Sequence, residues 1–477
     1  MPVSYFDYPE IQNYTENDYR WKEIEKGKFL VTTYHGAWTL LSRDEFDQLR
    51  YGKVNENPDL CKKLEELGVI ITEKNARPLL SNYFDRFAHL FNNSSLHIVT
   101  ITLRCTNKCL YCYAGPQPPN AKEYDMTKST AKKVVDFIFQ SPAQNITIEF
   151  QGGEPLFNYP VIRYITEYSK KLNRKHKKKL RLSIVTNLTL MRPDILRYLV
   201  GNVFNICTSL DGPQKVHDKN RKFFGGGGTY KKVTYWIDEI KNNQGYSLYA
   251  LPVITKFSLP YHKEIIDEYL KWGLDRIRLK NILRAGLART NWDKIGYTPQ
   301  QYIDFWKKAL DYCLELNKNG TYFLEGTTVL IARKLLSKDY QAYTCLGNPC
   351  GACLTQTSYN YDGSIYSCDE AKSFEAFKIG DVRKDSYKGI YASPRALNIV
   401  SLSSCLNLLC DSCVWFPYCN SCMVSTYGSQ GTPIPKLPLD DECKIRSAQI
   451  EHVIKKLLFS EEDRKILLHW CSTGRGV

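Results

Sequence analysis

Between residue 96 and about residue 320, apolar runs that fit strands alternate six times with longer runs that fit amphipathic helices. The strand-like runs span 98–103, 146–150, 182–186, 203–209, 248–255 and 276–280. The helix-like runs span 128–140, 156–170, 193–200, 230–242, 262–272 and 299–316. Such alternation predicts a parallel sheet joined by right-handed crossovers. Because six units cannot close an eight-unit barrel, we predict an α/β fold with an open (β/α)6 partial TIM barrel.

Residues 19–76 follow another pattern, which predicts a small α+β module. Its strand-like runs span 20–25, 29–33 and 38–41. Ser42 and Glu45 then form a capping box, at which a helix begins. A second helix is expected from Pro58 to residue 67, and residues 69–72 fit a wing strand. We therefore expect a winged-helix-like module, which could bind a ligand of its own or only pack on the barrel.

Length, charge and cysteine content narrow the class of protein. The chain has 477 residues, 17 cysteines and a net charge of +15, and this length predicts about two to four domains. We find no run of 18 or more uncharged apolar residues and no basic segment followed by an apolar core near residue 1, so neither a transmembrane helix nor a secretory signal is predicted. Many cysteines without such a signal favour metal or redox chemistry in the cytoplasm over disulfides.

Three cysteines lie close together after the first strand-like run. Cys105, Cys109 and Cys112 form a C-x3-C-x2-C motif. Three thiolates on one loop can hold three irons of a [4Fe–4S] cluster, and since such clusters normally have four cysteine ligands, another group must bind the fourth iron. The spacing resembles that of the radical SAM superfamily, in which S-adenosylmethionine binds that iron. The resemblance implies that Tyr113, an aromatic residue beside the third cysteine, contacts the cofactor.

Further segments resemble the cofactor-binding turns of the superfamily, and each follows a strand-like run. After run 146–150 come Gly152, Gly153 and Glu154, and a glycine pair lets the backbone approach a ligand closely. The resemblance implies that Glu154 holds the amino group of the methionyl moiety. The polar residues that it implies for the ribose and carboxylate are Thr186, Asn187, Ser209 and Arg221. Each segment alone would fit an ordinary turn, so the interpretation depends on their order and spacing.

Ten of the 17 cysteines fall between Cys345 and Cys443. The paired C-x2-C units, taken alone, fit a zinc ribbon. C-terminal to the radical SAM core comes a C-x9-G-x4-C element, followed by C-x2-C-x5-C and a late cysteine. This order resembles the SPASM extension, which binds two auxiliary [4Fe–4S] clusters. One departure from that pattern is visible, because Cys419 and Cys422 are separated by two residues instead of three.

The SPASM resemblance implies ligands for both auxiliary clusters. The distal cluster would be held by Cys410, Cys413, Cys419 and Cys443. The proximal cluster would be held by Cys368 and Cys422, with two further ligands from the set Cys345, Cys350 and Cys353. Five candidates for four positions leave either one free thiol or one open iron. The cysteines expected to be structural are Cys61, Cys207, Cys313, Cys405 and Cys471.

Taken together, the chain resembles a radical SAM/SPASM peptide maturase, and segments 150–156 and 359–363 resemble the His-Xaa-Ser system maturases. The N-terminal module resembles the peptide-recognition domain of such enzymes, which binds a leader peptide as an added strand. The resemblance implies reductive cleavage of S-adenosylmethionine and use of the 5′-deoxyadenosyl radical to crosslink a ribosomally made precursor peptide. Asp369 and Glu370 are the candidate catalytic bases. The implied partners are that peptide or a protein substrate and an electron donor such as flavodoxin or ferredoxin.

Two alternatives remain open: an anaerobic sulfatase-maturase-type enzyme that forms formylglycine, and a zinc-ribbon protein that binds nucleic acid. The basic run 170–181 would serve the latter, but no RNA-binding motif accompanies it and a solvated helix end explains it more simply. Neither nucleic acid nor a membrane is therefore an expected partner. Basic residues of the module favour an acidic leader peptide, namely Arg20, Lys22, Lys26 and Lys28.

We expect four regions along the chain. These are a peptide-recognition-like module with a linker at 1–90, the radical SAM core at 91–325, an auxiliary-cluster domain at 326–455 and a helical tail at 456–477.

Overall fold

The computed structural model describes residues 13–87, 94–337, 345, 348–403, 408–420, 422–437 and 439–473. The prediction that Cys405 is a spare thiol lies outside these residues. The same holds for parts of the four predicted regions, including residues 1–12 and 474–477.

The N-terminal module has the predicted hairpin-and-helix pattern. Its elements are β1 (Thr15–Glu16), β2 (Tyr19–Glu25), β3 (Lys28–Thr33), β4 (Trp38–Ser42), α1 (Arg43–Arg50), α2 (Pro58–Glu66), β5 (Ile70–Ile71) and α3 (Ala76–Phe87). Strands β2, β3 and β4 form an antiparallel sheet, and the predicted capping box at Ser42 is present. The wing strand β5 pairs with β1, which the sequence did not predict.

The sheet of the module is covered on both faces. Phe29 and Val31 point to a small core that also contains Phe46, whereas Ile24 and Leu30 belong to the main core of the molecule. Alternate residues of a strand point to opposite faces, so the module is joined to the rest of the chain through one complete sheet face.

The central region alternates strands and helices as predicted. Its strands are β6 (Leu96–Thr102), β7 (Asn145–Gly152), β8 (Lys179–Val185), β9 (Phe204–Thr208), β10 (Leu248–Ala250), β11 (Arg276–Ile277) and β12 (Leu324–Glu325). Its helices are α4 (Lys128–Ile138), α5 (Tyr159–His176), α6 (Pro193–Gly201), α7 (Gln214–Asn220), α8 (Tyr230–Asp238), α9 (His262–Lys271), α10 (Leu287–Thr290), α11 (Trp292–Ile295), α12 (Pro299–Lys318) and α13 (Gly326–Leu336). Thr127 and Thr298 cap α4 and α12 as expected.

Strands β6 to β10 are parallel and lie side by side in chain order, so their carboxyl ends meet at one edge. On β7, Ile146, Ile148 and Phe150 are buried, while Glu149 and Gln151 on the other face keep some exposure. The strands therefore present an apolar face to the helices and a polar face to the inside of the open barrel.

The fifth and sixth predicted strands are shorter than expected. β10 ends at Ala250, just before Pro252, which lacks a main-chain N–H for the ladder. A single bridge between Val253 and Lys280 then connects this segment with the stretch after β11. β11 itself pairs with β12 in a separate two-stranded sheet, so the regular barrel sheet stops after five strands.

The C-terminal region begins by extending the barrel sheet, which the sequence did not predict. Its elements are β13 (Gln356–Tyr359), β14 (Ser364–Tyr366), β15 (Lys378–Asp381), α14 (Tyr387–Tyr391), α15 (Pro394–Ser403), α16 (Leu408–Asp411), α17 (Met423–Gln430), α18 (Asp441–Phe459) and α19 (Glu461–Ser472). β13 adds in parallel to the free side of β6, and β14 and β15 continue the sheet in antiparallel order.

Candidate active site

The predicted ligands of the first cluster lie on the loop after β6, and they are Cys105, Cys109 and Cys112. Neighbouring main chain holds this loop. The N–H of Lys108 donates to the carbonyl of Lys222 (2.8 Å), and the N–H of Leu110 donates to that of Asn220 (3.0 Å). The N–H of Leu287 donates to the carbonyl of Cys112 (2.8 Å). The loop is thus fixed from two sides by segments that follow other strands.

The three thiols share a buried environment. Burial raises the pKa of each, to about 12 for Cys109. The charges of Cys109 and Cys112 also raise the pKa of Cys105, which places the three sulfurs near one another. At Cys109 the guanidinium of Arg221 is the main opposing influence. Metal binds the thiolate form of cysteine, and burial disfavours that form. Positive charge close to the thiols is therefore needed for them to bind a metal.

Gly152 and Gly153 bring the turn after β7 against the cysteine loop. The N–H of Gly153 donates to the carbonyl of Thr102 (2.8 Å), and that of Glu154 donates to Arg104 (2.7 Å). A Cβ on Gly152 would collide with the carbonyl of Thr102, and one on Gly153 with that of Arg104. Gly152 also has a φ of 151°, which other residues rarely adopt. The glycines are therefore needed for this contact.

Glu154 ties the turn to the end of β8. Its Oε1 accepts from the hydroxyl of Thr186 (2.6 Å), and its Oε2 accepts from the N–H of Asn187 (2.7 Å). The Asn187 side chain in turn lies 3.6 Å from the sulfur of Cys105. Glu154 has no exposed surface, and burial raises its pKa to about 7. Its predicted contact with the amino group of the cofactor stays a prediction, and its visible role is to hold three site segments together.

Replacing Glu154 with glutamine is expected to lower the free energy of unfolding by about 1–3 kcal/mol, because an amide nitrogen cannot accept from Thr186 or Asn187 and leaves a buried donor unsatisfied. Chemical denaturation of the purified protein measures this. Glu123, which is exposed, provides the matched control Glu123→Gln. Equal unfolding free energies for the two variants would show that the network around Glu154 contributes no stability.

Arg221 is buried beside the cysteine loop in a network that the sequence did not predict. Its Nε donates to Asp211 (3.1 Å), and the hydroxyl of Tyr111 donates to the other carboxylate oxygen (2.7 Å). Burial alone would lower the pKa of Arg221, but Asp211, Tyr111 and Cys109 together more than offset this, so the pKa is raised. Both residues lie beside positions that the sequence analysis singled out, since Tyr111 directly precedes Cys112 and Asp211 lies two residues beyond Ser209. Ser209 itself lies just beyond β9 and is partly buried.

Tyr113 and Asp369 connect the cysteine loop to the C-terminal region. The Tyr113 hydroxyl donates to Asp369, and Lys372 forms an ion pair with the same carboxylate (2.7 Å). Burial would raise the pKa of Asp369, but Lys372 and the hydrogen bonds lower it overall. Glu370 lies 3.5 Å from Lys280. Asp369 is thus held ionised, whereas Glu370 is in a looser pair. Their roles as catalytic bases stay predictions.

The inner face of the barrel carries a further carboxylate that the sequence did not single out. Glu149 accepts from Gln151 (2.6 Å) and Ser183 (3.2 Å), and burial raises its pKa. Cys207 lies near Glu149, and burial followed by the charge of Glu149 raises the pKa of Cys207 to about 12. The alternation along β9 places Cys207 on the polar inner face with Asn205, and its structural role stays a prediction.

Cys368 lies at the centre of the proximal candidates. Its pKa is raised well above the usual value by burial and by the charges of nearby groups, which include Cys345, Cys350 and Cys422. The thiol of Cys353 lies near Cys350 and Tyr391, and the backbone of Cys353 has a φ of 62°. Among the five candidates, the environment of Cys353 differs most from that of the others.

The distal candidates lie on the segment from α16 to the start of α18. The charge of Cys413 raises the pKa of Cys443, after the larger effect of burial, so these two thiols are close. Cys410 and Cys419 flank Cys413 on the same segment. In the part of the chain that the structure describes, no three His, Cys, Asp or Glu side chains are arranged to hold a single metal ion. The auxiliary ligand sets therefore stay predictions.

Comparisons with known proteins agree with this geometry. Residues 99–269 match the family model of the radical SAM superfamily. An uncharacterized protein of Methanocaldococcus jannaschii is 30% identical over 267 residues, which are 53% of this chain and 87% of that protein. A cysteine-type anaerobic sulfatase-maturating enzyme of Clostridium perfringens is 25% identical over 333 residues, which are 68% of this chain and 87% of that enzyme.

Two solved structures share the fold. Native anSMEcpe with bound AdoMet and Cp18Cys peptide superposes with a TM-score of 0.66 at 21% identity, covering 78% of this chain and 99% of that one. Streptococcus suis SuiB bound to precursor peptide SuiA gives a TM-score of 0.52 at 16% identity, covering 89% and 98%. Within the described segments, every helix is too short or too polar to cross a membrane. The predicted fold class is confirmed, and the chain belongs to the radical SAM superfamily.

Proposed function

We propose that the chain modifies a ribosomally made precursor peptide, by crosslinking, with a radical generated from S-adenosylmethionine. The observation that carries this proposal is the N-terminal module, a three-stranded sheet with three helices that is packed on the cysteine-rich region beside the barrel. SuiB, whose structure was solved with its precursor peptide, matches 89% of this chain. The His-Xaa-Ser subgroup remains a prediction of the sequence alone.

The residues at the barrel edge fit a [4Fe–4S] cluster. Three buried thiols lie on one fixed loop, Arg221 supplies positive charge to Cys109, and Asn187 lies beside the sulfur of Cys105. We assign the cluster to these cysteines, and S-adenosylmethionine to the adjoining turns at Gly153 and Asn187. When bound, the cluster and S-adenosylmethionine supply the 5′-deoxyadenosyl radical that removes a hydrogen atom from the substrate.

Around that centre, side chains of the barrel would bind and orient the peptide. The inner face offers Glu149, Gln151, Ser183 and Lys280, which give a polar, mixed-charge lining. Such a lining suits the main-chain amides of an extended peptide. Glu370, which forms a long ion pair with Lys280, is our preferred proton acceptor over Asp369, which pairs more tightly with Lys372.

For the C-terminal region we assign Cys345, Cys350, Cys368 and Cys422 to a proximal auxiliary cluster. This choice follows from the nearby charges that raise the pKa of Cys368. Cys353 is then the thiol left over. We assign Cys410, Cys413, Cys419 and Cys443 to a distal cluster. Iron and sulfide analysis of anaerobically purified protein tests both, since three cubes require about twelve irons per chain. Zinc with negligible sulfide would instead support the zinc-ribbon alternative.

A second candidate function is supported equally by the comparisons. The relative from Clostridium perfringens is named an anaerobic sulfatase-maturating enzyme, and the solved structure of anSMEcpe covers 78% of this chain. By analogy this chain would oxidise a Cys or Ser of a protein substrate to formylglycine. The two functions give different products. A formylglycine reacts with a hydrazide reagent, whereas a crosslinked peptide lacks an aldehyde and has lost hydrogen atoms relative to the precursor.

The first test uses a candidate precursor peptide, to be sought among the short open reading frames next to the gene of this chain. Reconstituted enzyme, dithionite, S-adenosylmethionine and that peptide are incubated anaerobically, and the product is analysed by mass spectrometry and by hydrazide labelling. We expect 5′-deoxyadenosine together with a hydrazide-negative peptide that has lost two hydrogen atoms per crosslink. A hydrazide-positive product would establish the sulfatase-maturase type of chemistry.

Charge attraction by the module is weaker than the sequence predicted. Arg20, Lys22 and Lys28 form ion pairs with acidic side chains of this chain, at 3.1, 2.5 and 3.1 Å. Of the four basic residues that favoured an acidic leader, Lys26 alone has no ion pair within the described residues. Recognition of a leader therefore has to depend on main-chain pairing at a free sheet edge more than on charge.

Strand β4 offers such an edge. Its Leu40 carbonyl accepts from Lys63 (3.1 Å), so the carbonyl faces away from β3. In an antiparallel strand the N–H of a residue faces the same side as its carbonyl, so the N–H of Leu40 is also directed outward. An incoming leader can pair with this N–H as a fourth strand.

We therefore expect the labelled peptide to bind the full-length protein in a fluorescence anisotropy titration. We also expect N-methylation of the peptide backbone to weaken binding at one alternate set of amides and not at the other. Strand addition uses every second amide of the peptide, so methylating one alternate set should weaken binding at least about tenfold, while methylating the other set should leave it nearly unchanged. The two methylated peptides are matched controls for each other. Equal effects of both sets would exclude strand addition.

A further inference from the structure

Arg20 of the N-terminal module lies buried against the C-terminal region. Its side chain is 2% exposed. Its Nε donates to the main-chain carbonyl of Asp411, and its Nη2 lies 3.1 Å from the Asp411 carboxylate and 3.2 Å from that of Asp18. The guanidinium also stacks over the ring of Phe416, 5.1 Å from its centroid. A buried arginine with this many contacts fixes the segment that it touches.

Other residues of the module hold the same segment at successive positions. The hydroxyl of Thr32 donates to the carbonyl of Val414 (2.9 Å), and Arg86 donates to that of Pro417 (3.0 Å). The hydroxyl of Tyr418 donates to Gly36 (3.0 Å), and Lys22 lies over the ring of Trp415 at 5.3 Å. From Asp411 to Tyr418, the main chain is therefore held by side chains and backbone of the module.

Cys413 lies within this segment, and Cys410 and Cys419 directly flank it, so the segment positions three of the four thiols assigned to the distal cluster. The module also places charge beside them. Arg20 bonds to Asp411, two residues before Cys413, and the ammonium of Lys22 lies over the ring of Trp415, two residues after it. A cube with four thiolate ligands is an anion that becomes more negative on reduction, so nearby cations favour both its binding and its reduced state. The carboxylates of Asp18 and Asp411, which pair with Arg20, are largely exposed and hence screened by water. Glu451, which pairs with Lys22, is 26% exposed and offsets part of the Lys22 charge.

We propose that the N-terminal module forms part of the distal cluster site, with Arg20 holding the ligand segment and Arg20 and Lys22 supplying the charge that stabilises the reduced cluster. This inference rests on the distal cluster assigned above. It gives the module a second role besides peptide recognition. Arg20 and Lys22 are positioning residues here, since they act through the segment that bears the thiols.

The test compares three full-length variants after anaerobic reconstitution. Lys22→Met removes one charge from a partly exposed position, Arg20→Met removes the buried guanidinium, and Lys26→Met, in the exposed β2–β3 turn, is the matched control. We expect Arg20→Met to lose about four irons per chain. We expect Lys22→Met to keep its iron but to show a lower midpoint potential for one cluster in an EPR-monitored redox titration. Lys26→Met should match the unmodified protein in both measurements.

A fourth variant, Cys413→Ala, separates failure of this inference from failure of the assignment beneath it. If Cys413→Ala keeps all its iron, the distal cluster is assigned to the wrong residues and the inference falls with it. If Cys413→Ala loses about four irons while the Arg20 and Lys22 variants retain full iron and unchanged potentials, the module has no part in the cluster site. Should Arg20→Met fail to fold, the potential of Lys22→Met decides the question.

Discussion

Replacing Cys109 with alanine is expected to abolish the reductive cleavage of S-adenosylmethionine. Cys109 is the middle thiol of the loop after β6. At Cys109, Arg221 is the main influence that opposes the rise in pKa caused by burial. Without it, two protein thiolates remain for a cluster that already uses a non-protein ligand at one iron. Such a cluster should be lost or unable to bind the cofactor. The same outcome is expected for Cys105 and Cys112.

The measurement is 5′-deoxyadenosine, quantified by chromatography after dithionite reduction, together with iron content. Cys61→Ala is the matched control, because Cys61 packs beside the small core of the N-terminal module, far along the chain from the site. The control should retain both iron and cleavage. Formation of 5′-deoxyadenosine by any of the three loop variants would contradict the cluster assignment.

Asp211→Ala should destabilise the protein by about 3–5 kcal/mol, because it leaves the buried guanidinium of Arg221 without its counter-charge. Asp211 has no exposed surface and accepts from Arg221, from Tyr111 and from the N–H of Val253 (3.2 Å). The loss also releases the tyrosine beside Cys112. Chemical denaturation of the cluster-containing protein, with iron content as the second readout, measures the effect.

The double variant Asp211→Ala with Arg221→Ala is the informative comparison. It removes both members of the pair, so no unpaired charge remains buried, and part of the lost stability should return. Iron binding should stay impaired, since the positive charge beside Cys109 is gone. If Asp211→Ala and the double variant are equally unstable, the cost arises from lost packing and not from the unpaired guanidinium.

Much of the barrel could be predicted from the sequence because its helices and strands have strong periodic patterns. All six predicted helices are present, and α12 even begins at the predicted cap, Thr298. The errors occur where the local sequence pattern does not determine which strands pair with each other. Residues 276–280 alternate basic and apolar side chains, as a barrel strand would, yet only Arg276 and Ile277 form a strand, and their partner is β12. That choice depends on a segment almost 50 residues away.

The cofactor-binding motifs could also be located, because each depends on residue types at fixed spacing. The network behind them could not. Tyr111 lies 100 residues before Asp211, and its contact with the Asp211–Arg221 pair depends on how the carboxyl ends of β6 and β9 meet. The spacing of the five proximal cysteines likewise does not determine which four bind the cluster, since it carries no information about which thiols share a buried space. The environment of Cys368 gives the basis for that proposal.

The pairing of β6 with β13 has a consequence for how the chain is built. Ser95 and Thr355, which are 260 residues apart, bond at the start of this ladder. During synthesis from the N-terminus, the first barrel strand is complete long before its partner exists, and one side of it stays unpaired in the meantime. Contacts that close such long loops are slow to form. The order in which the ribosome delivers the strands therefore differs from the order in which the sheet can be completed.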